Sequence, residues 1–118
     1  FVLPSYNEGF GLTILEAYRQ KTPVITTTAT PFKEIEDENI GWYVKPNNEE
    51  ITAALESAVS LKKQELHNMG EKGFEFMKNK YSLDIVNSKM KKLYSWLIYG
   101  GDVPDFVINN SKNSSHEV

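Results

Sequence analysis

The spacing of apolar and polar residues changes along the chain from strand-like runs to helical periodicity. Three short apolar runs predict strands, at 1–3, 23–27 and 42–44. Residues 12–20 repeat at helical spacing between the first two runs, which makes one βαβ unit. After the second strand, Thr30 is placed to cap a short helix with Pro31 at its first position. The pattern predicts an α/β fold with a parallel sheet flanked by helices.

The second half of the chain predicts three further helices. Asn48 is placed to cap the first, over 49–60, and the second covers 62–79, with Gly70 and Gly73 as points where it could break. The residues expected to face inward are Ile51, Leu55, Ala58 and Val59 in the first of these helices and Leu66, Met69, Phe74 and Met77 in the second. Ser82 is placed to cap the third.

The composition changes after the last predicted helix, which divides the chain into a domain at 1–100 and a tail at 101–118. The 118 residues are 40% hydrophobic, enough for one small core. The tail is rich in Asn, Ser and Asp and is expected to be disordered. The chain opens with Phe1 inside an apparent strand and no initiator methionine, so we expect a fragment whose preceding residues supply the rest of the sheet.

Charge and residue usage exclude several classes of function. A net charge of −3 and a pI near 5.4 argue against nucleic-acid binding. The chain has no cysteine and two histidines, His67 and His116, which cannot form a metal-binding cluster. No apolar stretch is long enough to span a membrane. We therefore expect no metal site. We further expect no cofactor and a cytoplasmic location, to which peripheral membrane association could be added.

The most informative segment runs from Pro4 to Ala17, where a glycine-rich turn enters a helix. Gly9 and Gly11 allow left-handed backbone angles and a close approach of a ligand to the peptide plane. The free N–H groups and the partial positive charge at the start of the helix favour an anion. This arrangement predicts a diphosphate-binding turn.

Two glutamates, Glu8 and Glu16, stand on either side of this turn with seven residues between them. Carboxylates repel phosphate but accept hydrogen bonds from sugar hydroxyl groups. Glu16 shares with Leu12, Leu15 and Arg19 a helix face whose spacing predicts burial. Spacing alone leaves a second interpretation open, in which Glu16 forms a salt bridge to Arg19 or Lys21 and Glu8 is a solvated turn residue.

The residues around this motif follow a family pattern over most of the chain. The matching segments are Pro4-Ser5, Glu8-Gly9-Phe10-Gly11-Leu12, Leu15-Glu16-Ala17, Pro23-Val24-Ile25, Glu34-Ile35, Gly41, Val44, Pro46, Tyr81-Ser82 and Leu93-Tyr94. With them the chain resembles the C-terminal domain of the family-4 retaining glycosyltransferases, which have two Rossmann-like domains in the GT-B arrangement. The resemblance implies a metal-independent transferase that uses a nucleotide-diphospho-sugar such as a UDP- or GDP-sugar.

The resemblance assigns roles to residues of the motif. It implies that Glu8 contacts the transferred sugar as the catalytic residue and that Glu16 holds the ribose. The diphosphate would be held by backbone amides of the turn, and the implied donor-binding residues are Gly9, Phe10, Gly11, Leu12, Thr13 and Glu16. The resemblance also implies a basic pair upstream of Phe1 and a last helix that packs on the N-terminal domain. Part of that helix, with Trp96 and Tyr99, would then be exposed in this fragment.

The chain departs from the common pattern at two places. It has Gln20-Lys21-Thr22 before Pro23, and it lacks the Gly-Gly pair that often follows the second strand. Its Thr30-Pro31-Phe32-Lys33-Glu34 and its later Gly41-Trp42 resemble a subgroup of bacterial surface-polysaccharide enzymes. The implied partners are a nucleotide-sugar donor, a glycan or lipid-linked glycan acceptor and the N-terminal domain, and the fragment alone is expected to be inactive. A nucleotide-sugar epimerase or phosphorylase, or a non-catalytic α/β interaction module, are the alternatives.

Overall fold

The computed structural model describes residues 1–108 of the chain. Over these residues the chain forms three strands, β1 (Val2–Leu3), β2 (Val24–Thr27) and β3 (Gly41–Val44). Five helices accompany them, α1 (Leu12–Arg19), α2 (Glu34–Asp37), α3 (Asn48–Ser60), α4 (Lys63–Tyr81) and α5 (Leu83–Tyr99). The strands form one parallel sheet in the order β1-β2-β3, with Leu3 opposite Thr26 and Thr26 opposite Tyr43. The predicted α/β class with a parallel sheet and flanking helices is confirmed.

The chain divides into two compact units, Phe1–Tyr81 and a second unit that begins at Ser82. The first unit contains the sheet and α1 to α4, and the second contains α5. The predicted domain at 1–100 and tail at 101–118 stay predictions. Residues 109–118 of that tail, including His116, lie outside the described residues.

The core of the first unit brings together α1, β2, α4 and the connection from β2 to β3. Its buried residues are Ile14, Tyr18, Val24, Phe32, Ile35, Ile40 and Met77. The Tyr18 hydroxyl donates a hydrogen bond of 3.1 Å to the buried carbonyl of Ile40. Burial raises the pKa of Tyr18, so its phenol stays protonated and continues to donate this bond.

The predicted inward face of α1 is wrong. Ile14 and Tyr18 are its buried residues, whereas Leu12 is 65% exposed and Glu16 is exposed as well. Ile14 and Tyr18 lie four residues apart on one face, and this face carries the larger apolar side chains into the core. Because Glu16 is exposed, its carboxylate needs no ion pair to offset a free-energy cost of burial.

Helix α4 continues without interruption through Gly70 and Gly73, so the considered break does not occur. Both glycines are buried against α1 and the residues that follow it. A Cβ on Gly70 would lie 1.9 Å from the Lys21 carbonyl oxygen, and one on Gly73 would lie 2.3 Å from the Tyr18 ring. The glycines thus permit a close approach of α4 to this region instead of ending the helix.

Two predicted helix starts differ from the structure. Helix α2 begins at Glu34 after Lys33, and the Thr30 hydroxyl instead donates to the Thr27 carbonyl at 3.0 Å. Asn47, and not Asn48, caps α3, because its side chain accepts a hydrogen bond of 2.9 Å from the Glu50 amide. The predicted caps, Thr30 and Asn48, thus lie in the right segments, but each is one or more residues away from the residue that precedes its helix.

The inward face of α3 differs in part from the prediction, while that of α4 follows it. Ala54 is the buried residue of α3, whereas Leu55 is 39% and Val59 81% exposed. Ile51 and Ala58 are partly buried, as predicted, and α3 packs on both β2 and β3. In α4, Met77 is buried and the other three predicted residues are partly buried.

Helix α5 belongs to the second unit and has no buried residue over its 17 positions. The Ser82 side chain caps it as predicted, accepting a hydrogen bond of 3.4 Å from the Ile85 amide. Its exposed apolar residues are Leu83, Val86, Met90, Tyr94, Leu97, Ile98 and Tyr99. Tyr99 is 84% exposed, in agreement with the expected apolar surface, and Trp96 is partly buried.

Candidate functional site

The glycine turn leaves the sheet at the carboxyl end of β1. Parallel sheets with crossover helices place their ligands beyond the carboxyl ends of their strands. In this chain the turn fills the stretch between Leu3 and the start of α1 at Leu12, next to the carboxyl end of β2 at Thr27. The fold therefore places the predicted motif at the edge of the sheet where α/β proteins bind ligands.

Gly11 gives the turn its shape. It precedes α1 with φ 79° and ψ 51°, in the left-handed region that favours glycine. A Cβ at this position would lie 3.3 Å from Ile14 Cδ1 and 3.4 Å from Glu8 Cγ. Gly9 has no positive φ, and a Cβ there would meet nothing within 4 Å. Gly11 thus shapes the backbone, while Gly9 leaves open space above the peptide plane.

The start of α1 offers its amides to a ligand. No side chain caps this end, and no acidic residue lies in its first turn. The first N–H groups of a helix have no intrahelical acceptor, and they carry the positive end of the helix dipole. Leu12 and Thr13, the first residues of α1, are exposed. An anionic group beyond Gly11 would meet these two amides without displacing a protein side chain.

Glu8 lies beside Gly11 and is partly buried. The Ser5 hydroxyl donates a hydrogen bond of 3.4 Å to Glu8 Oε2. Among residues 1–108 the carboxylate forms no salt bridge. A carboxylate with one weak protein donor retains acceptor capacity for hydroxyl groups of a ligand.

Glu16 lies exposed on α1, and no salt bridge to it occurs in the described part of the chain. Lys21, one of its two suggested partners, pairs instead with Glu71 at 2.8 Å. This contact with the ammonium lowers the pKa of Glu71. The salt-bridge interpretation of Glu16 therefore loses one of its two candidate partners, and the carboxylate is accessible to a ligand.

Phe10 is held in an aromatic cluster with Phe32 and Tyr81. Its ring centroid lies 5.2 Å from that of Phe32 and 6.1 Å from that of Tyr81, and the latter two are 5.8 Å apart. Tilted and edge-to-face pairs at these separations are favourable. Phe10 remains 42% exposed, so the cluster anchors the turn through one face of its ring. The group of Phe10 that is predicted to bind a ligand is its backbone amide, and the packing of the ring does not involve this amide.

A second ionic contact lies near the aromatic cluster. Lys80, which precedes Tyr81, pairs with Oε1 of Glu34 and lies over the Tyr81 ring at 5.3 Å from its centroid. Within the described residues, the other Glu34 oxygen is buried without a hydrogen-bond partner. Burial raises the pKa of Tyr81. These contacts tie the start of α2 to the end of α4, the region that holds Phe10.

Some residues that shape the site were not identified from the sequence. Thr27 is buried at the end of β2 and donates a hydrogen bond to the carbonyl of Ser5 in the glycine turn, whereas its buried neighbour Thr26 donates to Leu3 in β1, outside the turn. Phe32 and Tyr81 anchor Phe10. The run of threonines at a strand end was the available signal, because β-branched polar residues there can reach backbone acceptors.

No group of three or more His, Cys, Asp or Glu side chains that could hold a metal ion occurs in residues 1–108. No helix in that range is long and apolar enough to cross a membrane.

Comparison with known proteins gives several partial matches. Residues 1–76 match the model of the family described as glycosyl transferases group 1. The serotype-specific mannosyltransferase WbdA of Escherichia coli is 34% identical over 70 residues, which is 59% of this chain and 9% of that protein. The alpha-1,3/1,6-mannosyltransferase alg2 of Schizosaccharomyces pombe is 32% identical over 87 residues, 72% of this chain and 17% of that protein.

A sucrose synthase of Acidithiobacillus caldus is 43% identical over 54 residues, which is 45% of this chain and 7% of that protein. The chain therefore spans less than a fifth of the length of these three relatives. The family match covers the sheet, the glycine turn and most of α4. On this match, together with the parallel sheet and the left-handed Gly11 before α1, the chain belongs to the group 1 glycosyltransferases.

Proposed function

We propose that this chain is the donor-binding part of a larger, retaining glycosyltransferase of family 4 with the two-domain GT-B arrangement. The observation that carries the proposal is the left-handed Gly11 before an uncapped α1, with the partly buried Glu8 beside it. The turn offers amide donors for a diphosphate, and Glu8 offers an acceptor for a sugar hydroxyl. Both groups lie at the carboxyl end of the sheet.

The donor would be a nucleotide-diphospho-hexose, such as a UDP- or GDP-sugar. In this proposal the amides of Gly9, Phe10, Gly11, Leu12 and Thr13 hold the diphosphate. Glu16 binds the ribose hydroxyls, and its exposure on α1 leaves the carboxylate free to do so. Two relatives are named as mannosyltransferases, which favours mannose as the first sugar to test. No resident cofactor or metal is part of the proposal.

In the proposed mechanism the acceptor hydroxyl attacks the anomeric carbon from the face that the diphosphate leaves, and the hydroxyl proton passes to the diphosphate oxygen as its bond to that carbon breaks. Glu8 accepts a hydrogen bond from the sugar and orients it, and does not form a covalent bond to it. The helix start and a basic pair outside this chain would stabilise the charge on the leaving diphosphate. The acceptor, a glycan or lipid-linked glycan, would be held mainly by the other domain. The proposed location is cytoplasmic, with peripheral membrane association.

A transfer assay tests this proposal. The larger protein is given radiolabelled GDP-mannose, UDP-glucose and other nucleotide-hexoses with lipid-linked glycan acceptors, and the labelled product is counted. We expect transfer from one donor by the larger protein and none by the 118-residue chain, because acceptor groups and the basic pair lie outside it. Transfer by the purified 118-residue chain would contradict the proposal that transfer requires groups outside this chain. A larger protein that binds no nucleotide would contradict the donor-binding role.

A further inference from the structure

Two buried hydroxyl groups at the end of β2 fix the chain as it leaves β1. The Thr27 hydroxyl donates to the Ser5 carbonyl at 2.5 Å, and the Thr26 hydroxyl donates to the Leu3 carbonyl at 3.2 Å. Both threonine residues are fully buried. Successive side chains of a strand point to opposite faces, so the two bonds hold the chain from opposite sides of the sheet. Thr27 is the one that reaches the glycine turn.

Ser5 links Thr27 to the glutamate at the site. Its carbonyl accepts from Thr27, and its hydroxyl donates to Glu8 Oε2 at 3.4 Å. The second bond is long for a hydroxyl donor. Hydrogen bonds of active sites are often long without substrate and shorten when it binds. Within residues 1–108 no salt bridge restrains Glu8, so the Ser5 hydroxyl is the protein group that directs its carboxylate in this part of the chain.

We propose that Thr27 is a positioning residue that orients Glu8 through Ser5. This inference rests on the proposed function, because it takes Glu8 to contact the transferred sugar. Without the Thr27 hydroxyl, the Ser5 carbonyl has lost its buried donor and the Ser5 backbone is free to shift toward another one. The Ser5 hydroxyl then moves with its backbone, and Glu8 loses its preferred orientation.

We call the contacts from Thr27 through Ser5 to Glu8 the relay. Thr27→Val tests the relay because valine keeps the branched shape and removes the hydroxyl. Thr27→Ser is the conservative variant that keeps the hydroxyl. Thr26→Val is the matched control, because it removes the equivalent hydroxyl from the neighbouring buried position, where the acceptor is Leu3. Ser5→Ala is a second variant that breaks the relay without changing the interior of the sheet. Its result decides the question if Thr27→Val does not fold.

The first measurement needs no turnover. Three-bond NMR couplings on the 118-residue chain report the χ1 rotamer of Glu8. We expect one dominant rotamer in the wild type and in Thr26→Val and Thr27→Ser, and averaged couplings in Thr27→Val and Ser5→Ala. Wild-type couplings in both relay variants would overturn the proposal.

The second measurement uses the larger protein and steady-state transfer. Because a small misplacement of a catalytic group can cost about 100-fold, we expect Thr27→Val to lower kcat about 10- to 100-fold. KM should change by less than about twofold, since the diphosphate and ribose contacts remain. Thr27→Ser should restore kcat, and Thr26→Val should keep it even if its melting temperature falls equally.

The two measurements separate this inference from the proposed function. Equal loss of kcat in Thr26→Val and Thr27→Val would overturn the relay, because a general loss of strand stability would then explain both. Averaged couplings with unchanged kcat would overturn the role of Glu8 in transfer, and with it the catalytic use of Thr27. Averaged couplings together with the selective loss of kcat would support both.

Discussion

Glu8→Gln in the larger protein is expected to lower kcat/KM for sugar transfer about 10- to 100-fold. A hydrogen bond to a charged group contributes about 1.5–3 kcal/mol, and each 1.36 kcal/mol corresponds to about tenfold in rate. Gln keeps the size of the side chain and can still accept from Ser5, so the fold should be preserved. The measurement is initial-rate transfer with the donor identified in the assay above, alongside the melting temperature.

Glu56→Gln is the matched control, because Glu56 is an exposed glutamate of α3 far along the chain from the turn. This control should transfer sugar at the wild-type rate. A Glu8→Gln rate equal to that of the control would remove Glu8 from the site. A loss far beyond 100-fold, with a trapped glycosyl-enzyme in the wild type, would instead indicate a covalent intermediate on Glu8 and contradict the front-side mechanism.

Gly70→Ala is expected to cause the largest loss of stability. The added methyl would lie 1.9 Å from the Lys21 carbonyl oxygen, a backbone atom that cannot move aside without shifting the end of α1. Overpacking of this kind costs about 3 kcal/mol. For a domain of this size, such a loss lowers the melting temperature by on the order of 15 °C. Thermal unfolding of the 118-residue chain, followed by circular dichroism, measures it.

Gly9→Ala is the control for that experiment, because its added methyl would meet nothing within 4 Å and its φ is not positive. Its unfolding free energy should lie within about 0.5 kcal/mol of the wild type. If Gly70→Ala had the same melting temperature as Gly9→Ala, the close approach of α4 to the residues after α1 would be wrong.

Element type could be predicted from the sequence because it depends on local patterns. Short β-branched runs and helical spacing gave all three strands, and the glycine turn was placed correctly before α1. The faces of the helices were harder. Two faces of α1 carry apolar residues, and the buried face includes Tyr18, whose hydroxyl reaches the Ile40 carbonyl. No pattern within α1 reveals an acceptor 22 residues away.

The candidate site likewise combines groups from one short segment with contacts from residues distant in sequence. Gly11, Glu8 and the start of α1 could be proposed as site groups because their chemistry is visible in one short segment. The contacts that orient them come from residues distant in sequence: Thr27 bonds to Ser5, and Tyr81 packs on Phe10. These contacts depend on the crossover that brings β2 beside β1 and on the packing of α4, which spacing within the motif does not encode.

The position of Glu16 offers the most direct test of a nucleotide site on this turn. Since Glu16 is exposed, Glu16→Gln should leave the melting temperature unchanged. If Glu16 holds the ribose, the variant should bind a nucleoside diphosphate about tenfold more weakly, which corresponds to about 1.4 kcal/mol. Removing the ribose hydroxyls from the nucleotide should weaken its binding as much as removing the Glu16 carboxylate from the protein.

The deciding measurement is calorimetric titration of the larger protein with a nucleoside diphosphate and with its 2′,3′-dideoxy analogue. The wild type should bind the analogue about tenfold more weakly than the parent nucleotide. Glu16→Gln should bind both with equal affinity, because the hydroxyls and their acceptor form one interaction. If Glu16→Gln discriminated between them as strongly as the wild type, Glu16 would not contact the ribose, and the account of this turn as a nucleotide-sugar site would be contradicted.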